Sequence, residues 1–396
     1  MQQSLNLLLR SKVKGGVRSG GEQIGGKLPP PSSVQAKCLK VLHDADSSPA
    51  VREFRRRART SRRTALRYRR QVANADFEFG RLIVGCGTFG GIGGASALIG
   101  KGLDEVGAFA TLDEAVALGL SMLDTAESYA GGSSETTMCR WFTERDPATT
   151  ASLRITTKVA PPRSNATNHR FDSAFIARTF AGSLERLGVE RVDTFLVHAP
   201  DERTPVDVTL AGMETVRASG GCAHLGACNF DVAQLTAAIE AADSMGVRGY
   251  EMIQNGYSLL SPDDDSEVRA VCRERGIVYT AFSPLAGGAL TGKYRRGEPP
   301  PGDSRLALRP DGVDALLTPE VRDAIDHLAH VARNFGVSCG ALAMAWVLHH
   351  PDVAAPVSGP SRTSPHLAIA GEALTIELPQ VVFDELTERF RDAARA

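Results

Sequence analysis

The sequence has no long apolar segment and no closely spaced pair of cysteines. Its longest apolar stretches, such as residues 341–348, are much shorter than the roughly 20 residues that a membrane-spanning helix needs. The amino terminus also lacks the uninterrupted apolar stretch of a secretory signal. The seven cysteines are scattered without a C-x-x-C pair, which argues against zinc ribbons, thioredoxin-type centres and disulfide frameworks. We therefore predict a protein of a reducing, cytoplasmic setting, with no metal site and no membrane partner.

The formal net charge of −1 conceals two segments of opposite charge. Residues 1–75 contain 17 basic and four acidic side chains, which leaves a net charge of −14 for the rest of the chain. Ten arginines lie in residues 52–70, with little apolar periodicity. We predict that residues 1–76 are a basic, low-complexity and disordered extension, and that residues 77–396 form one domain.

The basic extension has several interpretations. It could be an arm that binds RNA or a membrane surface, or an organelle transit peptide, because residues 1–21 contain no acidic side chain. It could equally be a solvated extension or an overlong gene start. If the protein binds nucleic acid at all, we expect this segment to do so.

From residue 81 onward, short apolar runs alternate with longer amphipathic stretches. Of the latter, residues 172–187 are the clearest, with Asp172 as a cap and Ile176, Phe180, Leu184 and Leu187 on one face. The predicted strands are residues 82–86, 121–124, 154–158, 192–198, 224–228, 251–254, 278–282 and 354–357. Eight such units predict an α/β fold, a (β/α)8 TIM barrel, with an open Rossmann-type sheet as the alternative. The long connections at residues 90–109 and 285–317 are expected to be functional loops.

A glycine motif at residues 85–90 fits G-x-G-x-x-G directly after the first predicted strand. In a Rossmann fold this turn opens a helix at once, with an acidic residue about 20 positions further on. Here more glycines follow, and the next helical pattern begins only at Thr111. The context therefore argues against a Rossmann turn.

Four polar residues lie at or just beyond the ends of predicted strands: Asp124, Tyr129, Lys158 and His198. In a βα barrel these strand ends meet at the face that carries the active site. A lysine favours the phenolate of a nearby tyrosine, an aspartate holds the lysine charged, and a histidine can steer a substrate oxygen. Each residue alone also has a structural explanation, as a cap, a surface lysine, a core histidine or a turn residue. Together they indicate a proton donor for a carbonyl group.

Several motifs in order resemble the aldo-keto reductase family, in particular bacterial members with long loops that also resemble potassium-channel β-subunits. They lie at residues 123–129, 157–158, 197–200, 254–260 and 282–294. The resemblance implies a (β/α)8 barrel that binds NADP(H) and transfers hydride between nicotinamide and an aldehyde or ketone, or the corresponding alcohol or sugar. The alternative is an NADP(H)-binding redox-sensing or regulatory subunit with negligible turnover.

The resemblance also implies a role for each of the four polar residues. Tyr129 would be the general acid, and Lys158 would lower its pKa. Asp124 would pair with Lys158, and His198 would orient the carbonyl. Position by position, the implied cofactor contacts are Gly87, Thr88 and Phe89 at the ribose, Asn229 and Gln254 at the carboxamide, Phe282 on the ring, and Ser283, Leu285 and Gly287 at the pyrophosphate.

One position bears on which cofactor is bound, and two others depart from the common family pattern. Arg362 is the expected contact of a 2′-phosphate, because a guanidinium matches the geometry of that anion. NADP(H) is therefore favoured, with NAD(H) as the alternative. The chain departs from the common family pattern at Cys228, where serine is usual, and at Phe282, where tyrosine is commoner.

Overall fold

The computed structural model describes residues 70–71, 78–161, 171–302, 304–308, 316–361 and 366–395, and the structural statements below concern these residues. Nearly all of the predicted extension lies outside them. Arg70–Gln71 pairs in antiparallel fashion with Glu78–Phe79, just before the main domain. The domain boundary at residue 76 stays a prediction.

Eight parallel strands form a closed barrel. They are β1 (Ile83–Gly85), β2 (Met122–Asp124), β3 (Arg154–Val159), β4 (Val192–Val197), β5 (Cys222–Cys228), β6 (Met252–Gly256), β7 (Val278–Phe282) and β8 (Ala355–Ser358). Each strand pairs with the next, and β8 pairs with β1. Every predicted strand is confirmed to within two residues at either end, and closure excludes the open Rossmann sheet.

Helices surround the barrel. They are α1 (Glu105–Ala117), α2 (Ser133–Glu144), α3 (Pro147–Thr150), α4 (Ser173–Leu187), α5 (Val206–Ala218), α6 (Val232–Met245), α7 (Ser266–Arg275), α8 (Pro319–Phe335), α9 (Cys339–His349), α10 (His366–Ala373) and α11 (Gln380–Arg395). Within the described residues, no single helix is long and apolar enough to cross a membrane. Helices α8 and α9 reach that length and composition only as a pair, and they meet at 92°.

Local sequence explains where the helices begin. At α4, the Asp172 side chain accepts a hydrogen bond from the backbone nitrogen of Phe175, as the capping pattern predicts. Helix α1 begins at Glu105, six residues before the predicted start at Thr111. The prediction was wrong because Val106 in the first turn is 79% exposed and breaks the apolar periodicity, while the Asp104 cap alone fixes the start.

The core has two layers. Between strands and helices it contains large buried side chains such as Trp141, Phe195 and Trp346. Inside the barrel, apolar residues including Ile83, Leu196 and Met252 form a second cluster. This inner cluster fills the barrel, so a polar site has room only at the strand ends.

Gly226 in β5 is packed so tightly that a Cβ atom there would lie 2.3 Å from the Met252 carbonyl oxygen and 2.6 Å from a Leu196 methyl carbon. We expect Gly226→Ala to lower the free energy of unfolding by about 1–3 kcal/mol, because a packed core resists added volume. Urea unfolding followed by circular dichroism measures the change. The control is Gly371→Ala in α10, where a Cβ meets nothing within 4 Å, and there we expect a gain of about 0.5–1 kcal/mol. Equal effects of the two substitutions would contradict the barrel packing.

Candidate active site

A cavity of about 810 Å³ lies at the carboxyl ends of the barrel strands. It brings together most of the residues that the sequence singled out. These are Gly87, Thr88, Asp124, Tyr129, His198, Asn229, Gln254, Phe282, Ser283, Leu285 and Gly287. They come from six different strand ends or the loops that follow them, so the closed barrel is what makes them neighbours.

Two predicted residues within the described ranges are not on the cavity wall, and a third lies outside those ranges. Lys158 is only 1% exposed and lies behind the wall, where it contacts residues that line it. The Phe89 ring is completely buried in the outer core, so it does not face the cavity as expected. Its position is better explained by packing against the helices, since its backbone also bridges to Leu103. Arg362 lies outside the described residues.

A buried ion pair forms the floor of the site. The Lys158 ammonium donates to Asp124 Oδ1 at 2.5 Å, to the Thr125 carbonyl oxygen at 2.9 Å and to the Tyr129 hydroxyl at 3.3 Å. Asp124 Oδ2 accepts a hydrogen bond of 2.8 Å from the side-chain nitrogen of Gln254. Both carboxylate oxygens are thus engaged, as a buried charge requires.

The protonation of Tyr129 and Lys158 follows from burial and from charge. Burial raises the pKa of Tyr129 above its usual value, and the Lys158 ammonium only partly opposes this. The expected lowering by Lys158 is therefore present, but burial outweighs it. For Lys158, burial disfavours the charged form, yet the Asp124 carboxylate raises its pKa above the usual value. At neutral pH the site holds a neutral phenol beside an ammonium group.

His198 stands next to the phenol. Its ring contacts the Tyr129 ring edge to face, with 5.4 Å between centroids. Its Nδ1 lies 3.3 Å from the Ser128 hydroxyl, which fixes the ring's orientation. Ser128 was not among the predicted site residues, although its place immediately before Tyr129 in the strand-end motif was a usable signal.

Two predicted cofactor residues sit in an unusual backbone conformation. Asn229 has φ +61° and Ser283 has φ +54°, both in the left-handed region that residues other than glycine seldom adopt. The Asn229 side chain donates to the His198 carbonyl oxygen at 2.9 Å. Such backbone strain tends to concentrate at binding sites, and here it lies on the wall of the cavity.

The sequence matches the aldo/keto reductase family over residues 81–389. The protein belongs to the aldo/keto reductase family. The match spans every strand of the barrel and the four polar residues Asp124, Tyr129, Lys158 and His198. It confirms the resemblance to this family that the motifs indicated. The protein is thus an oxidoreductase of a family that generally uses NAD(P)H.

Individual relatives from bacteria and plants are similar over most of the chain. The "Uncharacterized oxidoreductase YrpG" of Bacillus subtilis is 30% identical over 74% of this chain and 89% of its own length. The "Probable voltage-gated potassium channel subunit beta" of Oryza sativa is 31% identical over 68% of this chain and 82% of its own length. "Protein tas" of Escherichia coli is 27% identical over 74% and 92% of the two chains.

Three cations on the wall of this aldo/keto reductase were missed by the sequence analysis. Lys293 and Arg305 belong to the long loop after β7, and Lys101 belongs to the loop after β1. Asp124 is the one carboxylate among the described residues of the wall, and Lys158 already neutralises it. Both loops were expected to be functional, but sequence spacing does not show which of their side chains turn inward.

The wall fits the dinucleotide of an aldo/keto reductase. The hydroxyls of Thr88 and Ser361 are buried on it without a hydrogen-bond partner among the described residues. A phosphate or ribose can satisfy such groups, and the cations of the loop after β7, Lys293 and Arg305, complement phosphate charge. Beside them, Phe282 offers an aromatic ring for stacking, and Cys228 Sγ lies 3.8 Å from Gln254 Oε1, where the thiol makes only a weak hydrogen bond.

Proposed function

We propose that this protein transfers hydride between NADP(H) and a small aldehyde or ketone, or the corresponding alcohol, with Tyr129 as general acid or base. One observation supports this above the others. The Tyr129 hydroxyl lies 3.3 Å from the Lys158 ammonium, beside His198, in a cavity large enough for a dinucleotide and a small substrate.

The wall residues have separate tasks in holding the cofactor. When bound, a nicotinamide supplies or accepts the hydride. Asn229 and Gln254 would hold the carboxamide, and Phe282 would stack on the ring. The phosphates would lie against the loop that begins at Ser283, with the cations Lys293 and Arg305.

The proton is handled by the four polar residues. His198 would position the carbonyl oxygen near the Tyr129 hydroxyl, which donates its proton as the oxygen gains negative charge. The Lys158 ammonium stabilises the phenolate that results, and Asp124 keeps Lys158 charged. In the reverse direction the phenolate takes the alcohol proton.

A direct test is to mix the purified protein with NADPH or NADH and a panel of aldehydes, and to follow nicotinamide absorbance. Turnover that is faster with NADPH supports the proposal. The similarity to the potassium-channel-type protein of rice supports a second candidate function, that of a regulatory subunit that binds NADP(H) and has negligible turnover. Tight NADPH binding without turnover on any aldehyde would favour that candidate and contradict the enzyme.

Cofactor preference gives a separate prediction at Arg362. We expect Arg362→Gln to raise the dissociation constant for NADPH about tenfold or more while leaving that for NADH unchanged, because the guanidinium would contact only the 2′-phosphate. Fluorescence titration with both dinucleotides measures this. The matched control is Arg389→Gln on the exposed side of α11, which should alter neither constant. An equal loss of affinity for both dinucleotides would contradict the assignment.

A further inference from the structure

The loop after β1, residues 86–104, is long and unusually well ordered by its own backbone. The Gly93 nitrogen donates to the Gly87 carbonyl oxygen at 2.7 Å, and the Leu103 nitrogen donates to the Thr88 carbonyl oxygen at 2.7 Å. The Gly90 nitrogen returns a bond of 2.8 Å to the Leu103 carbonyl oxygen. These bonds cross-link the two arms of the loop, so its inner surface is a fixed wall of the cavity.

One hydrogen bond holds the loop in register with the Tyr129 turn, and a close approach at Gly102 fixes the two arms of the loop to each other. The backbone nitrogen of Ala130, next to Tyr129, donates to the Gly93 carbonyl oxygen at 2.9 Å. At Gly102 the arms approach so closely that a Cβ atom would lie 1.9 Å from the Gly91 carbonyl oxygen and 2.1 Å from that of Thr88. The residue just before Gly102 is Lys101, whose backbone is therefore fixed relative to the Tyr129 turn.

Lys101 is exposed to solvent and also lines the cavity. Among the described residues, its ammonium makes no ion pair and no side-chain hydrogen bond. The other wall cations, Lys293 and Arg305, come from the loop after β7, to which we assign the cofactor phosphates. Lys101 belongs to a different loop, the one that packs against the Tyr129 turn, so its charge is available to a second anion.

Part of the cavity wall is apolar and adjoins the residues of the reaction centre in sequence. Ala160 and Pro161 directly follow the strand that carries Lys158, and Ala199 follows His198. Ile92, from the same loop as Lys101, is 7% exposed and also lines the cavity. A substrate would thus meet apolar surface around its carbonyl carbon and a cation further along its length.

We propose that Lys101 binds the anionic group, a carboxylate or phosphate, of a carbonyl substrate. This substrate class rests on the proposed function of the same cavity. Because the ordered loop fixes the backbone of Lys101 relative to the Tyr129 turn, the cation selects substrates whose anion lies within reach of the lysine side chain when the carbonyl is at Tyr129. Neutral aldehydes of the same shape are then poorer substrates.

The test compares 4-carboxybenzaldehyde with its methyl ester, in the wild type and in Lys101→Met. We expect kcat/KM for the carboxylate to fall about tenfold in the variant, mainly through KM, and kcat/KM for the ester to change less than twofold. Lys101→Arg should retain the preference. Arg389→Met, which removes one exposed charge outside the cavity wall, should leave both values unchanged.

A binding measurement separates this inference from the proposed function. Calorimetry gives the dissociation constants of 4-(hydroxymethyl)benzoate and its methyl ester with the NADP-loaded protein and its variants. Absence of turnover with both aldehydes would contradict the proposed function, while the loss of carboxylate binding in Lys101→Met would still support the inference. Equal losses of affinity for the carboxylate and its ester in Lys101→Met would overturn the inference. A weaker affinity for NADPH as the only change would also overturn it and would assign Lys101 to the cofactor phosphates.

Discussion

Tyr129→Phe is expected to lower kcat for aldehyde reduction by about 10²–10⁴-fold. The substitution removes one hydroxyl and keeps the ring that packs against His198 and Lys158. Because burial holds the pKa of Tyr129 above its usual value, the wild-type phenol is protonated at neutral pH and ready to donate. Single-turnover oxidation of bound NADPH, followed by fluorescence, measures the chemical step alone. The dissociation constant for NADPH should change less than twofold.

Tyr250→Phe is the matched control for the loss of a buried tyrosine hydroxyl. Tyr250 is 6% exposed, its hydroxyl has no partner among the described residues, and it does not line the large cavity. We expect its kcat to match that of the wild type. Equal rates for Tyr129→Phe and the wild type would remove Tyr129 as the proton donor.

Lys158→Met should impair both stability and catalysis. It leaves the Asp124 carboxylate buried with one hydrogen bond, from Gln254, and without a cation. Removing one partner of a buried ion pair costs about 3–5 kcal/mol, and we expect a fall of that size in the free energy of unfolding. The fall in kcat should be at least as large as that of Tyr129→Phe, since the phenolate loses its stabilising charge.

A second variant separates the two effects of Lys158. In Lys158→Met combined with Asp124→Asn, no buried charge is left alone, so most of the stability should return while activity stays lost. The control is Arg391→Met, which breaks the half-exposed pair with Asp263 and should cost less than about 1 kcal/mol. Full activity in the double variant would show that the ion pair serves structure only.

The barrel and the convergence of the four polar residues were predicted from the sequence because both depend on short-range patterns. Apolar runs of four to seven residues mark buried parallel strands. A polar residue at the carboxyl end of such a run lies at the mouth of the barrel. Asp124, Lys158 and His198 each stand at such an end. Their convergence then follows from closure of the sheet.

The loops were harder to predict because backbone contacts, rather than side-chain periodicity, shape them. Nothing in the sequence near Ser283 or Asn229 indicates a positive φ, and the position of Lys101 depends on backbone hydrogen bonds within its loop and on the bond from Ala130 to Gly93. The start of α1 was misjudged, and the burial of the Phe89 ring in the outer core was not foreseen, for the same reason. In both places a glycine-rich segment leaves many conformations open until the rest of the fold selects one.

The hydrogen bond from Gln254 to Asp124 joins β6 to β2, strands that lie diametrically opposite in the ring of eight. Through it, amino acids 130 positions apart in the chain share one proton network with Lys158. A change at any one of the three leaves a buried polar atom of another without its hydrogen-bond partner. A single substitution in this trio is therefore expected to be strongly unfavourable unless a second substitution in the trio accompanies it. Laboratory evolution of new substrates should therefore accumulate changes in the two long loops first and leave this cross-barrel trio untouched.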